Sequence, residues 1–168
     1  AWRYAVPREW HESHGIRRYG YHGASHRFIA GRVPEFLGPG VPARRIISCH
    51  LGGSSSLCAI LDGKSIDTSM GYTPQSGVLH STRPHDLDPF IPLVLIKQAG
   101  MTPDDVVKAL CAECGLLALS GVSGEMRDVV EAAAAGNPRA ELAITAFCYG
   151  VKKQIGAYVA ALGGVDVV

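Results

Sequence analysis

The groups in this chain with types and spacing suited to chemistry are imidazoles, one loop arginine and a stretch of bare backbone. His22-Gly23-Ala24-Ser25-His26 sets two histidines four residues apart where a helix can begin. Three uses fit that spacing: a metal pair still lacking its third ligand, an imidazole and helix N-terminus turned toward a phosphoryl group, or an ordinary surface histidine. His50-Leu51-Gly52-Gly53-Ser54-Ser55 places small residues between two β-prone runs. Without Cβ atoms in the way, backbone N–H groups there can approach an anion, although a ligand-free hairpin turn is the commoner use of such residues. Arg83 stands between Thr82 and Pro84 in a loop that also holds His80, His85, Asp86 and Asp88. Polar loops of this kind often carry function.

Two tempting motifs fail on their own terms. Gly63-Lys64-Ser65 has the end of a P-loop, but the glycine required five residues earlier is Cys58, and no helix follows the lysine. A nucleotide site here needs another architecture. Cys111 and Cys114 form a C-x-x-C with no second cysteine pair and no H-x-x-x-H after it, inside a segment of helical period. Packing of a helix is the expected role. The five cysteines are odd in number and sit in apolar runs, which suits free, buried thiols and a reducing compartment.

The elements that must position these groups follow from periodicity. Arg45 to Leu51 and Ser56 to Leu61 read as strands joined by the small-residue loop, and Asp62-Gly63 supplies a two-residue hairpin turn into a third strand, Lys64 to Met70. A three-stranded antiparallel meander results. A helix is expected from Ser25 to Leu37, with Pro34 as a kink or break. From Asp88 the period becomes helical. Thr102-Pro103-Asp104-Asp105 opens a helix to about Cys114, another covers Glu125 to Ala135, and Asn137-Pro138 caps a long one stopped by Gly163.

Length, charge and ends bound the rest. The 168 residues suffice for one domain, and 16 Lys+Arg against 15 Asp+Glu give no charge excess that would attract nucleic acid or a membrane surface. Apolar runs such as Phe90 to Ile96 are too short to span a bilayer, and the start has no signal-like pattern, so a cytoplasmic protein is expected. Residues 1–20 are mixed, rich in Arg, His and Trp, and read as a linker entering from a preceding domain. Val165-Asp166-Val167-Val168 reads as the start of a strand, and the first residue is not Met, so the chain is expected to be an internal piece of a longer protein.

Read together and in order, these segments resemble the acetate kinase family. The resemblance is carried by Arg18 to His26, Ile46 to Ser56, Asp62 to Gly71, Thr82-Arg83 with Asp86-Leu87-Asp88-Pro89, and Gly121-Val122-Ser123-Gly124 with Arg127-Asp128. It implies an α/β fold of the actin-like ATPase (ribonuclease H-like) type, with residues 21–168 as part of the second, nucleotide-binding domain. Also implied are ATP and ADP as cofactors, magnesium held by groups outside this chain, and a small carboxylate as acceptor: acetate, or propionate or butyrate in sibling enzymes. A homodimer is implied as well. By the same resemblance His22 and Arg83 stabilise the transferring phosphoryl group, His50, Leu51, Gly52, Gly53 and Ser54 form the phosphate loop, and Glu125, Met126 and Arg127 meet the adenosine part. The chain departs from the family pattern at Gly53-Ser54, where Asn-Gly is usual, at Ala24, at Pro84-His85 and at Glu125-Met126. Groups expected outside the chain include a catalytic carboxylate and a substrate-binding arginine, so the isolated chain is not expected to turn over; the alternative reading is a truncated, catalytically inactive nucleotide-binding or dimerisation domain.

Overall fold

A computed structural model describes residues 2–168. The chain divides into two compact units. The first takes in the chain up to Leu51, with Ser55–Pro74 and Val151–Val168; the second comprises Gly52–Ser54 and Gln75–Gly150.

The first unit is organised by the expected meander. Strands β1 (Arg45–Leu51), β2 (Ser55–Leu61) and β3 (Lys64–Thr68) pair antiparallel in the order β1-β2-β3. Asp62 and Gly63 both adopt left-handed backbone, φ 48° and 75°, as a tight turn matched to strand twist requires. Register sets Ile46 opposite Ile60, Ser48 opposite Cys58 and His50 opposite Ser56. Because side chains alternate, those six residues share one face. Its apolar end, Ile46, Cys58 and Ile60, packs with Ala30 and Val33 of helix α2 (Gly23–Leu37) and with Val167. Its other end carries the serines and His50.

Helix α2 runs through Pro34 without a break: Pro34 lies in the last turn, and its carbonyl still accepts the Gly38 N–H at 3.2 Å. The short helix α1 (Arg8–His14) was not foreseen; seven residues ending in a left-handed Gly15 are too few for periodicity to show. The strand-like end of the chain forms a parallel bridge, Ile46 to Val167, with the Ile47 N–H donating to the Val167 carbonyl at 2.9 Å. Asp166 holds it there by accepting from the Arg44 and Arg45 N–H groups at 3.0 and 2.8 Å and from the Arg45 guanidinium. These bonds bring the Asp166 carboxyl down to about 2.

The second unit is helical: α3 (Ile91–Gln98), α4 (Pro103–Ala112), α5 (Gly115–Ser120), α6 (Met126–Ala134) and the first part of α7 (Pro138–Leu162). Thr102 and Asp105 close a capping box on α4, and Asn137 Oδ1 accepts from the N–H groups of Arg139 and Ala140 to start α7. Leu79, Leu116, Val129, Ala140 and Ala143 form its core. The helix expected to reach Cys114 stops at Ala112, because Cys114 is extended and Gly115 takes φ 73°, so the chain restarts as α5.

The cysteines also depart from expectation. Cys58 is buried, whereas Cys111 and Cys148 are exposed, since each falls on the solvent side of its helix. No disulfide joins the five. Among the described residues, no helix is long and apolar enough to cross a membrane.

Candidate functional site

In the first unit the polar end of the sheet face meets the first turn of α2. His22 and His26, one helical turn apart, project the same way, and the strand alternation that lines up Ser48, His50 and Ser56 brings those side chains beneath them. Ser56 Oγ lies 2.9 Å from His22 Nδ1 and 2.8 Å from His26 Nε2. His26 Nδ1 is 2.9 Å from Ser48 Oγ, and His50 Nδ1 is 3.0 Å from Ser25 Oγ. The His22 and His50 rings stack, their centroids 3.9 Å apart at 21°. His22 is the N-cap of α2 and has φ 61°. Among the described residues it and Asp62 are the non-glycine residues in this region, and Asp62 is explained by its turn. Left-handed backbone costs a histidine about 1 kcal/mol, a strain of the sort that collects where a side chain must be aimed.

Electrostatics separates the rings. His26 is buried, and removal from water, with smaller repulsions from His22 and His50, lowers it from 6.5 to about 4. It is neutral at physiological pH. The folded value lies below the unfolded one, so the unfolded chain binds the proton first. The stability held by neutral His26 is complete above about pH 6.5, declines as pH falls and is gone below about 4. A urea-melt series across this window is expected to show His26→Gln flatter than the wild type, in either case read on the complete protein.

In the second unit a backbone platform carries Arg83. The N–H groups of Leu116, Leu117 and Cys114 donate to the carbonyls of His80, Ser81 and Thr82 at 2.9, 3.0 and 3.0 Å. The Ser81 N–H donates to the Gly53 carbonyl at 3.0 Å, which ties the small-residue loop to the same segment. Gly52 and Gly53 are exposed. A Cβ on Gly53 would meet Ser81 Oγ at 3.3 Å, and one on Gly124 would meet the Ser81 carbonyl at 3.2 Å. The segment before Glu125 is therefore packed on this platform too. Ser123 Oγ then accepts the Glu125 N–H at 3.0 Å.

The structure thus gathers the expected residues into two groups. His22 and His50 sit together in the first unit. Gly52, Gly53, Ser54, Arg83 and the turn leading to Glu125 and Arg127 gather about Ser81 and Thr82 in the second. Leu51, Glu125 and Arg127 are exposed, while Met126 packs on the core. His85 is exposed beside Asp86, its Nδ1 2.6 Å from the Asp86 carbonyl oxygen. Among the described residues there is no group of three His, Cys, Asp or Glu able to hold a metal ion. Sequence reasoning missed Ser48, Ser56, Gly115 and Ser81. Polar residues at alternate strand positions, set against histidines one helical turn apart, were the signal for the serines.

The profile of the acetokinase family matches residues 1–168. The chain is 53% identical to an acetate kinase of Dictyoglomus turgidum over 167 residues, 99% of this chain and 41% of the relative. It is 50% identical to a propionate kinase of Citrobacter rodentium, again over 99% of this chain and 41% of the relative. Among solved structures, the acetate kinase of Porphyromonas gingivalis superposes with a TM-score of 0.93 at 40% identity, covering 99% of this chain and 42% of that one. A propionate kinase of Francisella tularensis gives 0.92 at 35% identity, with 99% and 43% covered. The chain spans about two fifths of the length of these relatives, over which sequence and fold agree from end to end. The chain belongs to the acetokinase family.

Proposed function

We propose that the complete protein transfers the γ-phosphoryl group of ATP to a short-chain carboxylate, giving an acyl phosphate and ADP. The observation that carries this reading is the match of the whole chain, at about half identity, to kinases that act on acetate and on propionate. In such a transfer negative charge spreads over the equatorial oxygens of the moving group, and the protein contributes positioned donors and cations. Arg83 supplies a permanent charge with two parallel N–H donors, and His22 supplies an imidazole N–H. The exposed, Cβ-free backbone of Gly52 and Gly53, with Ser54, is assigned to the phosphates of a nucleotide. His50 and Leu51 lead into that loop, and Glu125, Met126 and Arg127 are assigned to the adenosine part. No residue of this chain is assigned to magnesium.

Acetate and propionate are both supported as acceptors by the relatives. A cytoplasmic homodimer belongs to the same proposal; Leu142 and Tyr149, both exposed on α7, are apolar surface that the remaining polypeptide or a second copy would cover. The test is acyl phosphate formation by the purified full-length protein, trapped with hydroxylamine, from ATP and magnesium with acetate, propionate or butyrate in turn. A hydroxamate formed in step with ADP is expected for at least one acid. ADP appearing with free phosphate alone, whichever acid is present, would remove the proposal.

A further inference from the structure

Ser56 is fully buried, and among the described residues its hydroxyl oxygen faces two ring nitrogens, His22 Nδ1 and His26 Nε2. A serine hydroxyl has one proton to donate. To satisfy both contacts, that proton goes to one nitrogen, and the other nitrogen must carry its own proton and donate to the oxygen. We propose that Ser56 and His26, with Ser48, are positioning residues that lock His22 and His26 into matching tautomers and so determine whether His22 presents an N–H at Nε2.

Two states satisfy these three contacts when both rings are neutral. In one, His26 donates from Nε2 to Ser56, Ser56 donates to His22 Nδ1, and His22 carries its proton on Nε2; Ser48 then donates to His26 Nδ1. In the other, His22 donates from Nδ1 to Ser56, Ser56 donates to His26 Nε2, and His26 donates from Nδ1 to Ser48, leaving His22 Nε2 without a proton. The rings are both Nε2-protonated or both Nδ1-protonated. A mixed pair leaves either a nitrogen lone pair or the Ser56 proton without a partner in a buried place, at a cost of about 1–3 kcal/mol. Passing from the first state to the second moves no heavy atom; a proton leaves His22 Nε2 to water, the three protons between Ser48 and His22 each shift by one partner, and water returns a proton to the Ser48 hydroxyl.

His26 suits this role because it stays neutral. Burial holds it well below its ordinary value, so it keeps one acceptor nitrogen and one donor. The charged or titratable groups of this unit that face it are His22 on its own helix and His50 from β1, and neither is acidic. No carboxylate from these elements competes to set the tautomer. The functional part of the inference rests on the reading of His22 as a phosphoryl-facing donor: an uncharged ring can serve so only in the first state, which the relay makes available.

The experiment uses the complete protein carrying isotopically labelled histidine. A long-range proton–nitrogen correlation spectrum, at a mildly alkaline pH where imidazoles are neutral, reports which nitrogen of each ring is protonated. Signals are assigned by replacing each histidine in turn. The expected result is the same tautomer on His22 and His26, and loss of that match in Ser56→Ala. In that variant kcat falls about tenfold, the worth of one well-placed hydrogen bond, while the KM for ATP stays within about twofold. Ser56→Thr, which keeps the hydroxyl, restores most of the rate. Opposite tautomers in the wild type overturn the coupling, and that reading needs no variant to fold. Wild-type turnover by His22→Ala overturns instead the assignment of His22 to the phosphoryl group, so the two failures are told apart.

Discussion

Arg83→Ala in the complete protein is expected to lower kcat by about a thousandfold, the range measured when a transition-state arginine or a comparable donor is removed. On the proposed function, the size follows from what an alanine cannot replace: a fixed charge and two parallel donors for oxygens whose charge grows during transfer. Arg83→Lys should recover only part of the loss, because an ammonium group is a point charge without the planar fork. The segment leading to Arg83 is held by hydrogen bonds from Cys114, Leu116 and Leu117 to the carbonyls of Thr82, His80 and Ser81, and alanine at position 83 keeps all three. Steady-state kinetics with circular dichroism as a folding control measures this. Near-normal kcat in a folded Arg83→Ala protein would reject the role.

Gly115→Ala should be the most damaging single change to the second unit. Gly115 has φ 73°, and a Cβ placed there would lie 2.5 Å from the His80 carbonyl oxygen and 2.7 Å from that of Ser81. These carbonyls are the acceptors for Leu116 and Leu117, so relief of the clash breaks the platform under Arg83. A strained backbone plus one or two lost hydrogen bonds amounts to ~2–4 kcal/mol of stability. Gly136 provides the control, with φ 87° and open space where a Cβ would go. Gly136→Ala should cost only about 1 kcal/mol, the conformational term alone. Denaturant melts of the two full-length variants separate clash from strain, and equal losses would contradict the packing argument.

Much of the fold could be read from local chemistry. The meander was legible because Asp62-Gly63 demands a tight turn and the flanking runs are β-prone. The starts of α4 and α7 were legible because Thr102, Asp105 and Asn137 are capping residues whose side chains bond to the backbone nearby. The separation of α4 from α5 was not, since it depends on Gly115 lying against the carbonyls of His80 and Ser81, a contact between segments distant in sequence. The exposure of Cys111 and Cys148 likewise depends on which helix face finds a core.

The candidate residues were legible unevenly for the same reason. His22, Arg83 and the Gly52-Gly53-Ser54 loop stood out by type, and the structure places each where it is held by specific contacts. The partners that orient them were hidden. Ser56 looks like any strand serine until antiparallel register sets it opposite His50 and packing sets it under His22 and His26. The left-handed backbone of His22, which turns its ring toward Ser56, has no signature in its neighbours beyond the glycine that follows.

In the proposed reaction His22 and Arg83 act on the moving phosphoryl group rather than on binding of the nucleotide. The most direct measurement is the single-turnover rate of γ-phosphoryl transfer by the full-length protein, followed by rapid quench for wild type, His22→Ala and Arg83→Ala, with the Kd for ATP measured alongside. The predicted result is a transfer step slowed by at least about a hundredfold in both variants while the Kd for ATP changes by less than about tenfold. A transfer rate equal to the wild type's, with ATP binding weakened instead, would contradict it.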